Sequence, residues 1–276
     1  MVKIDAHHHL WKYSPVTHGW INDEMRVLKR DFLPEELQQE LISKSYQGSV
    51  AVQASQSEDE TKFLLEQAAQ YPFIKGVVGW LDLQHPAIEE KLEHFTRFDL
   101  LKGLRHVVQD EPDDNFLLGK DFLYGISVLS KYNLAYDILI FPKHLKVAYE
   151  FVSRFPSQKF VLDHIAKPDI KNKALSPWKE DIKRLALHKN VYCKLSGMVT
   201  EANWQYWEKE DFIPYLDVVF EAFGPDRLMI GSDWPVCTLA GGYGEVMGIV
   251  ETYLNPMDEM TRNKVLGENA IGFYNL

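Results

Sequence analysis

The sequence is poor in cysteine, in long apolar runs and in basic charge. Only Cys193 and Cys237 occur among 276 residues, too few for a disulfide scaffold, so we expect reduced thiols. No stretch of about 18 apolar residues is present and no signal-peptide pattern opens the chain, which predicts a cytosolic protein without a membrane span. The formal net charge of −10 and the absence of a basic stripe disfavour nucleic-acid binding.

Linkers and nucleophile motifs are missing as well. No Gly/Ser-rich linker, low-complexity stretch or internal repeat divides the chain, which predicts one domain over residues 1–276. Ser196 and Ser232 lie beside the ends of apolar runs, but neither lies in the Gly-x-Ser-x-Gly motif of a nucleophilic serine. We therefore do not expect a Ser/His/Asp triad.

The chain does contain a regular alternation of short apolar runs with helical segments. Eight runs are predicted to be β-strands: residues 2–4, 48–53, 74–81, 101–106, 134–139, 159–164, 191–195 and 227–233. Helices are predicted between them, among others over residues 33–41, 58–71, 212–223 and 257–266, the last of these ended by Gly267. This order predicts an α/β fold, namely a single-domain (β/α)8 TIM-like barrel.

Polar side chains stand at the ends of most of these predicted strands: His7, His9, Gln53, Arg105, His106, Asp137, His164 with nearby Lys167, Lys194 and Asp233. Each one alone has a simpler interpretation, since His164 can be a hydrogen-bonded core histidine and Asp137 or Asp233 a helix cap. Buried ionisable groups are costly without partners, and parallel barrels carry their active sites at the carboxyl ends of the strands. The ring of polar residues therefore predicts a shared active site.

The histidines near the start of the chain form a candidate metal site. His7 and His9 are two residues apart beside an apolar strand, so both side chains point to the same face. Two imidazoles in this arrangement can share a divalent ion, with Asp233 nearby as a further ligand. A remnant of a purification tag is the alternative, but three histidines are too few for a tag.

Several motifs together resemble one family in their order along the chain. They are Ile-Asp-Ala-His-His-His-Leu-Trp at 4–11, Gly-Leu-Arg-His at 103–106, Leu-Asp-His-Ile-Ala-Lys-Pro at 162–168, Lys-Leu-Ser-Gly at 194–197, Gly-Ser-Asp-Trp-Pro-Val at 231–236 and Glu-Asn-Ala-Ile-Gly-Phe-Tyr at 268–274. This set resembles the amidohydrolase superfamily, and within it the amidohydrolase-2 group of sugar-lactone and dicarboxylate-lactone hydrolases. The resemblance implies a (β/α)8 barrel and the hydrolysis of a cyclic ester.

Two positions depart from the pattern that this resemblance implies. Arg105 stands where two-metal amidohydrolases carry a carboxylated lysine, and Asp137 stands where many one-metal members have a histidine. We therefore expect at most one divalent ion, zinc being the expected one, held weakly or dispensable.

The residues also suggest roles in ester hydrolysis. Asp233 is the expected proton shuttle, which takes a proton from water and returns it to the ring oxygen, with a pKa raised by partial desolvation. His164 and Arg105 are expected to donate hydrogen bonds to the lactone carbonyl. Lys167 and Lys194 are expected to orient the substrate, or alternatively to form ion pairs with Asp137 or Asp163.

The expected substrate is a small molecule, an aldonolactone of a hexose or 6-deoxyhexose such as L-fucono-, L-rhamnono- or L-galactono-lactone. Loop aromatics that offer flat apolar surfaces, or that simply cap the barrel, are Trp11, Trp20, Trp204 and Trp234. The predicted substrate-binding residues are Trp11, Gln53, His106, Asp137, Lys167, Lys194 and Trp234. A dicarboxylate-lactone hydrolase, a metal-dependent non-oxidative decarboxylase and a non-enzymatic sugar-acid-binding barrel remain alternatives, and the oligomeric state is open.

Overall fold

Eight parallel strands form the centre of the computed structural model, which describes residues 2–276. The strands are β1 (Ile4–His8), β2 (Gly48–Val52), β3 (Ile74–Gly79), β4 (Leu101–His106), β5 (Ala135–Ile138), β6 (Phe160–Leu162), β7 (Val191–Leu195) and β8 (Leu228–Ile230). They pair in chain order, and His8 pairs with Trp234 just beyond β8, which brings the two edges of the sheet together. The predicted (β/α)8 barrel is confirmed, with β1 extending through His7 and His8 rather than ending at Ile4.

Helices connect the strands on the outside of the barrel. They are α1 (Pro34–Ser43), α2 (Glu58–Gln70), α3 (Ile88–Phe95), α4 (Lys120–Leu129), α5 (Leu145–Ser153), α6 (Trp178–Leu185), α7 (Ile213–Phe223), α8 (Tyr243–Leu254), α9 (Glu259–Asn263) and α10 (Asn269–Tyr274). The sequence placed α1, α2 and α7 to within a few residues of these bounds. Within residues 2–276, no helix is both long and apolar enough to cross a membrane.

The end of the chain differs from its prediction. A π-helical turn over Lys264–Glu268 joins α9 to α10, so Gly267 does not end a helix there. A Cβ atom at position 267 would overlap the carbonyl oxygen of Val2. The glycine is therefore explained by the close approach of the backbone before β1, and not by helix termination.

Two apolar layers hold the barrel together. The larger one lies between the strands and the surrounding helices, where residues such as Leu64, Phe122 and Leu216 are completely buried. The smaller one combines alternate strand residues, Val50, Val161 and Met229 among them, with Phe273 and Tyr274 of α10. The last helix therefore contributes to the core inside the sheet, and it brings Tyr274 beneath the polar ends of the strands.

Candidate active site

Three histidines and one aspartate converge at the carboxyl ends of β1, β6 and β8. Nε2 of His9 lies 3.3 Å from Nε2 of His7 and 3.2 Å from Oδ1 of Asp233. The same carboxylate oxygen lies 3.7 Å from Nε2 of His7 and 3.8 Å from Nε2 of His164. All four side chains are buried. The expected convergence of His7, His9, His164 and Asp233 is therefore seen in the structure.

The backbone turns sharply to present two of these side chains. His164 and Asp233 adopt left-handed φ values of 53° and 58° in the short segments that follow β6, which ends at Leu162, and β8, which ends at Ile230. Non-glycine residues rarely occupy this region, and such strain concentrates at functional sites. Gly197, at φ 61°, lies against the His164 ring, where any Cβ atom would overlap the imidazole. His164 Nδ1 is also within hydrogen-bond distance of Ser196 Oγ, at 2.9 Å.

A buried network of two cations and two carboxylates supports His7 from below. Arg105 Nη1 donates to Asp163 Oδ2 at 2.9 Å and lies 3.3 Å from His7 Nε2. Lys194 Nζ contacts Asp163 Oδ1 at 3.1 Å and His7 Nδ1 at 3.2 Å, and it donates to Asp137. The two positive and two negative charges balance, which is the condition for keeping such groups out of water.

The two carboxylates of this network differ in their pKa values. Burial raises the pKa of Asp137 to about 6, although Lys194 and a hydrogen bond from Tyr274 act in the opposite direction. Burial also acts to raise the pKa of Asp163, but Lys194, His7 and Arg105 outweigh it and hold that pKa well below its usual range. Asp163 is therefore the permanent anion at the centre of the network.

In the upper cluster, the imidazoles of His7 and His164 are neutral and the carboxylate of Asp233 is ionised. Burial lowers the pKa of His164 to about 4 and holds the pKa of His7 well below its ordinary value. Burial would raise the pKa of Asp233, yet His164, His9 and Lys167 outweigh it, and the net shift is downward. The expectation that desolvation raises this pKa was therefore wrong, because the surrounding donors and positive charge prevail.

A cavity of about 590 Å³ opens above the cluster. His9, Arg105, His164 and Asp233 form part of its wall, and the loops after the strands supply the remainder. Two indole rings predicted to face a substrate, Trp20 and Trp204, line it together with Phe141, Met25 and Leu239. Its size and its mixed apolar and polar wall suit a small organic molecule.

Of the seven predicted substrate-binding residues, only Lys167 lines this cavity. Asp137 and Lys194 are completely buried in the ion-pair network, so the alternative interpretation of Lys194 as an ion-pair partner describes its position. Gln53 is fully buried and accepts hydrogen bonds from Arg105 through its backbone and side-chain oxygens, while Trp11 packs on Phe32.

The last two predicted binding residues also lie behind the wall. His106 pairs with Glu111 at 2.7 Å and stacks on Phe116. Trp234 is buried and packs edge-on against Phe32. Direct substrate contact by these six residues does not agree with their positions, because they lie beneath or beside the cavity and support those that line it.

Sequence reasoning missed three acidic residues at the site. Asp163 was treated only as an ion-pair partner, although it contacts His7, Arg105 and Lys194. Glu201 lines the cavity from the loop after β7. Glu60 of α2 accepts hydrogen bonds from the backbone N–H groups of Ala54 and Ser55 in the cavity wall. Asp163 beside His164 offered a sequence signal, whereas the other two required the loop conformations.

The donor set fits one divalent metal ion. Ligand atoms about 2.0–2.1 Å from a tetrahedral Zn²⁺ lie about 3.3 Å from one another, and the His7, His9 and Asp233 atoms are separated by 3.2–3.7 Å. His164 extends the set, since His7, His164 and Asp233 each offer an atom within 4.8 Å of the others. Neutral imidazole and ionised carboxylate are also the protonation states that bind metals.

Comparison with known proteins places this architecture in a family. The Amidohydro_2 model, described as amidohydrolase, matches residues 4–276. An L-fucono-1,5-lactonase of Burkholderia multivorans is 38% identical over 286 residues, covering 100% of this chain and 96% of the relative. An L-fucono-1,5-lactonase of Burkholderia ambifaria is 33% identical, covering 99% and 96%.

A solved structure agrees with these relatives. The crystal structure of an amidohydrolase from Burkholderia multivorans with bound Zn has a TM-score of 0.97 and 38% identity, covering 100% of both chains. The match extends over the whole barrel, including every strand end that contributes to the site. The chain therefore belongs to the amidohydrolase family, in the group to which its strand-end motifs pointed.

Proposed function

We propose that this protein is a lactonase that opens a neutral sugar lactone to its aldonic acid. The observation that carries the proposal is the cluster of His7, His9, His164 and ionised Asp233 at the floor of a 590 Å³ cavity. Full-length similarity to two L-fucono-1,5-lactonases supports the same chemistry, and L-fucono-, L-rhamnono- and L-galactono-lactone are the candidate substrates.

Asp233 acts as the general base in this proposal. It is ionised and it lines the cavity, so it can take a proton from a water molecule that attacks the lactone carbonyl there. Arg105 and His164 also line the floor and donate hydrogen bonds to the carbonyl oxygen as negative charge develops there. Asp163 and Lys194 hold Arg105 and His7 in place from below. The Arg105 donor therefore needs little reorganisation when the carbonyl oxygen gains negative charge.

A single Zn²⁺ is the metal that this site would hold, through His7 and His9 with Asp233 and His164 as the neighbouring donors. Bound there, it would supply Lewis-acid polarisation of the carbonyl and a lower pKa for water. The buried cations Arg105 and Lys194 both contact His7, and their positive charge opposes a divalent ion at the same ring. We therefore propose a weakly held ion.

The charge of the cavity wall favours a neutral substrate. Four carboxyl-bearing residues line it: Asp110, Glu111, Glu201 and Asp233. Of the two lining cations, Arg105 is paired with Asp163, so Lys167 is the one free of a salt bridge within the described chain. A dicarboxylate lactone would meet this negative wall without the paired arginines that usually bind carboxylates. Trp20 and Trp204 offer ring faces for the C–H groups of a sugar.

The two cysteines support a location in the cytoplasm. Both thiols are free and buried, which suits the reducing cytosol. We infer a cytoplasmic enzyme that acts on a small-molecule substrate.

The test is acid release with product analysis. Purified protein is supplied with aldono-1,5- and 1,4-lactones, and proton release is recorded together with the mass of the product and any CO₂. The proposal expects addition of one water per lactone and no CO₂. Release of CO₂ from aromatic acids, without lactone opening, would instead identify a decarboxylase.

A further inference from the structure

One carboxyl group in the cavity wall has no evident structural duty. Asp233 contacts His9 at 3.2 Å, Glu111 pairs with His106 at 2.7 Å, and Asp110 is exposed to solvent. Glu201 is only partly exposed, and among residues 2–276 it has no ion pair within 4.0 Å. A largely desolvated carboxyl without an ion partner is costly to retain for stability alone.

The loop after β7 holds the backbone of Glu201 in place from two sides. Its N–H donates to the carbonyl of Met198 at 3.2 Å, and its own carbonyl accepts from the Lys171 N–H at 2.9 Å. Thr200 Oγ1 donates to the Gly197 carbonyl at 2.8 Å and lies at a longer 3.4 Å from Glu201 Oε1. The backbone is thus anchored, while the side chain lines the cavity.

We propose that Glu201 is the general acid that protonates the leaving ring oxygen of the lactone. This inference rests on the proposed lactonase function. Water adds to the carbonyl carbon while its proton passes to Asp233, and the bond from that carbon to the ring oxygen then breaks. The departing oxygen takes the proton of Glu201 and becomes a hydroxyl group. Asp233 releases its proton to solvent and Glu201 takes one back, so these two transfers cancel. The new carboxylic acid then ionises, and the net reaction consumes one water and yields an aldonate and one proton.

The surroundings of Glu201 suit this task. Burial raises its pKa, and the carboxylates of Asp233 and Asp169 act in the same direction, while Lys167 opposes them. A higher pKa keeps more of the acid form available near neutral pH. Asp233 lines the same cavity, so a base and an acid can act on one bound lactone.

The variants Glu201→Gln and Glu201→Asp test the inference, with Glu210→Gln as the matched control. Glu210 is exposed in the segment that leads from the same loop into α7, and it does not line the cavity. The readouts are kcat and KM for the best sugar lactone across the pH range, corrected for spontaneous hydrolysis, with circular dichroism to verify folding.

Glu201→Gln should lower kcat by roughly 100-fold or more with a small change in KM, the usual contribution of a positioned acid. Wild-type kcat should fall at high pH as Glu201 loses its proton, and this fall should be absent in Glu201→Gln. Glu201→Asp should retain part of the wild-type kcat and should still show the decrease of kcat at high pH. Glu210→Gln should match wild type.

Two results would overturn the assignment. One is a Glu201→Gln rate within threefold of wild type; the other is a reduced rate whose alkaline fall stays unchanged, which would indicate a structural role. If Glu201→Gln does not fold, a Glu201→Asp protein that works at the full wild-type rate would overturn the assignment equally. A wild-type protein that opens no lactone would refute the proposed function instead, so the two failures are distinguishable.

Discussion

Replacing Lys194 with methionine isolates the buried ion network beneath the site. The change removes one of two cations from a set of four balanced charges and leaves Asp137 without its ion partner. Breaking a buried pair on one side costs about 3–5 kcal/mol, which at roughly 2–4 °C per kcal/mol corresponds to a fall in melting temperature of about 6–20 °C. His7 also loses its contact with Nζ, so we expect a lower kcat in the folded variant.

The loss should depend on pH in a defined direction. Lys194 lowers the pKa of Asp137, which already stands at about 6, so removing the lysine raises that pKa further. A folded-state pKa above the unfolded value of about 3.9 gives stability that is present at low pH and is lost as pH rises through the folded pKa. The variant should therefore be less destabilised at pH 6 than at pH 8, by up to about 1.4 kcal/mol per pH unit.

A double variant provides the control for this reasoning. Lys194→Met combined with Asp137→Asn restores charge balance, because Arg105 and Asp163 remain paired, and the new amide oxygen still accepts from Tyr274. Thermal melts should show that the double variant recovers at least half of the lost melting temperature and loses the added pH dependence. A Lys194→Met protein as stable as wild type, or a double variant no more stable than the single one, would refute the account.

Further predictions concern the upper cluster and the loop that borders it. Asp233→Asn should fold normally and lose activity by roughly 100-fold or more; a near wild-type rate would remove Asp233 from the mechanism. Gly197→Ala, whose Cβ would overlap the His164 ring at a φ of 61°, should lower kcat and melting temperature together, and an unchanged protein would contradict this packing. Equilibrium dialysis against Zn²⁺ should find at most one ion per chain, with His164→Ala weakening its binding; two tight ions would exclude the single-site geometry. Glu60→Gln removes a carboxyl whose pKa burial raises to about 7, so wild type should lose stability relative to the variant as pH rises from 5 to 8, and melts that show the reverse order would contradict it.

The barrel fold could be predicted from the sequence, because the residue patterns of strands and helices are local. Each of the eight apolar runs overlaps a strand, although the first does so only at Ile4. The strand-end rule brought together His7, His9, His164 and Asp233. The sequence could not show that Asp137 and Lys194 are buried beneath the cavity. Both residues lie within their strands, and their pairing depends on the register of β5, β6 and β7. Glu201 could not be placed either, since its position depends on the fold of an irregular loop.

A comparison of kcat/KM across a lactone panel tests most directly whether this protein hydrolyses neutral sugar lactones. Proton release is measured for L-fucono-, L-rhamnono- and L-galactono-lactone and for carboxylated lactones of similar size. The negative wall and Lys167, the single unpaired lining cation among residues 2–276, predict a preference for the neutral lactones of at least about tenfold, or about 1.4 kcal/mol. A preference of that size for the carboxylated lactones would contradict the account.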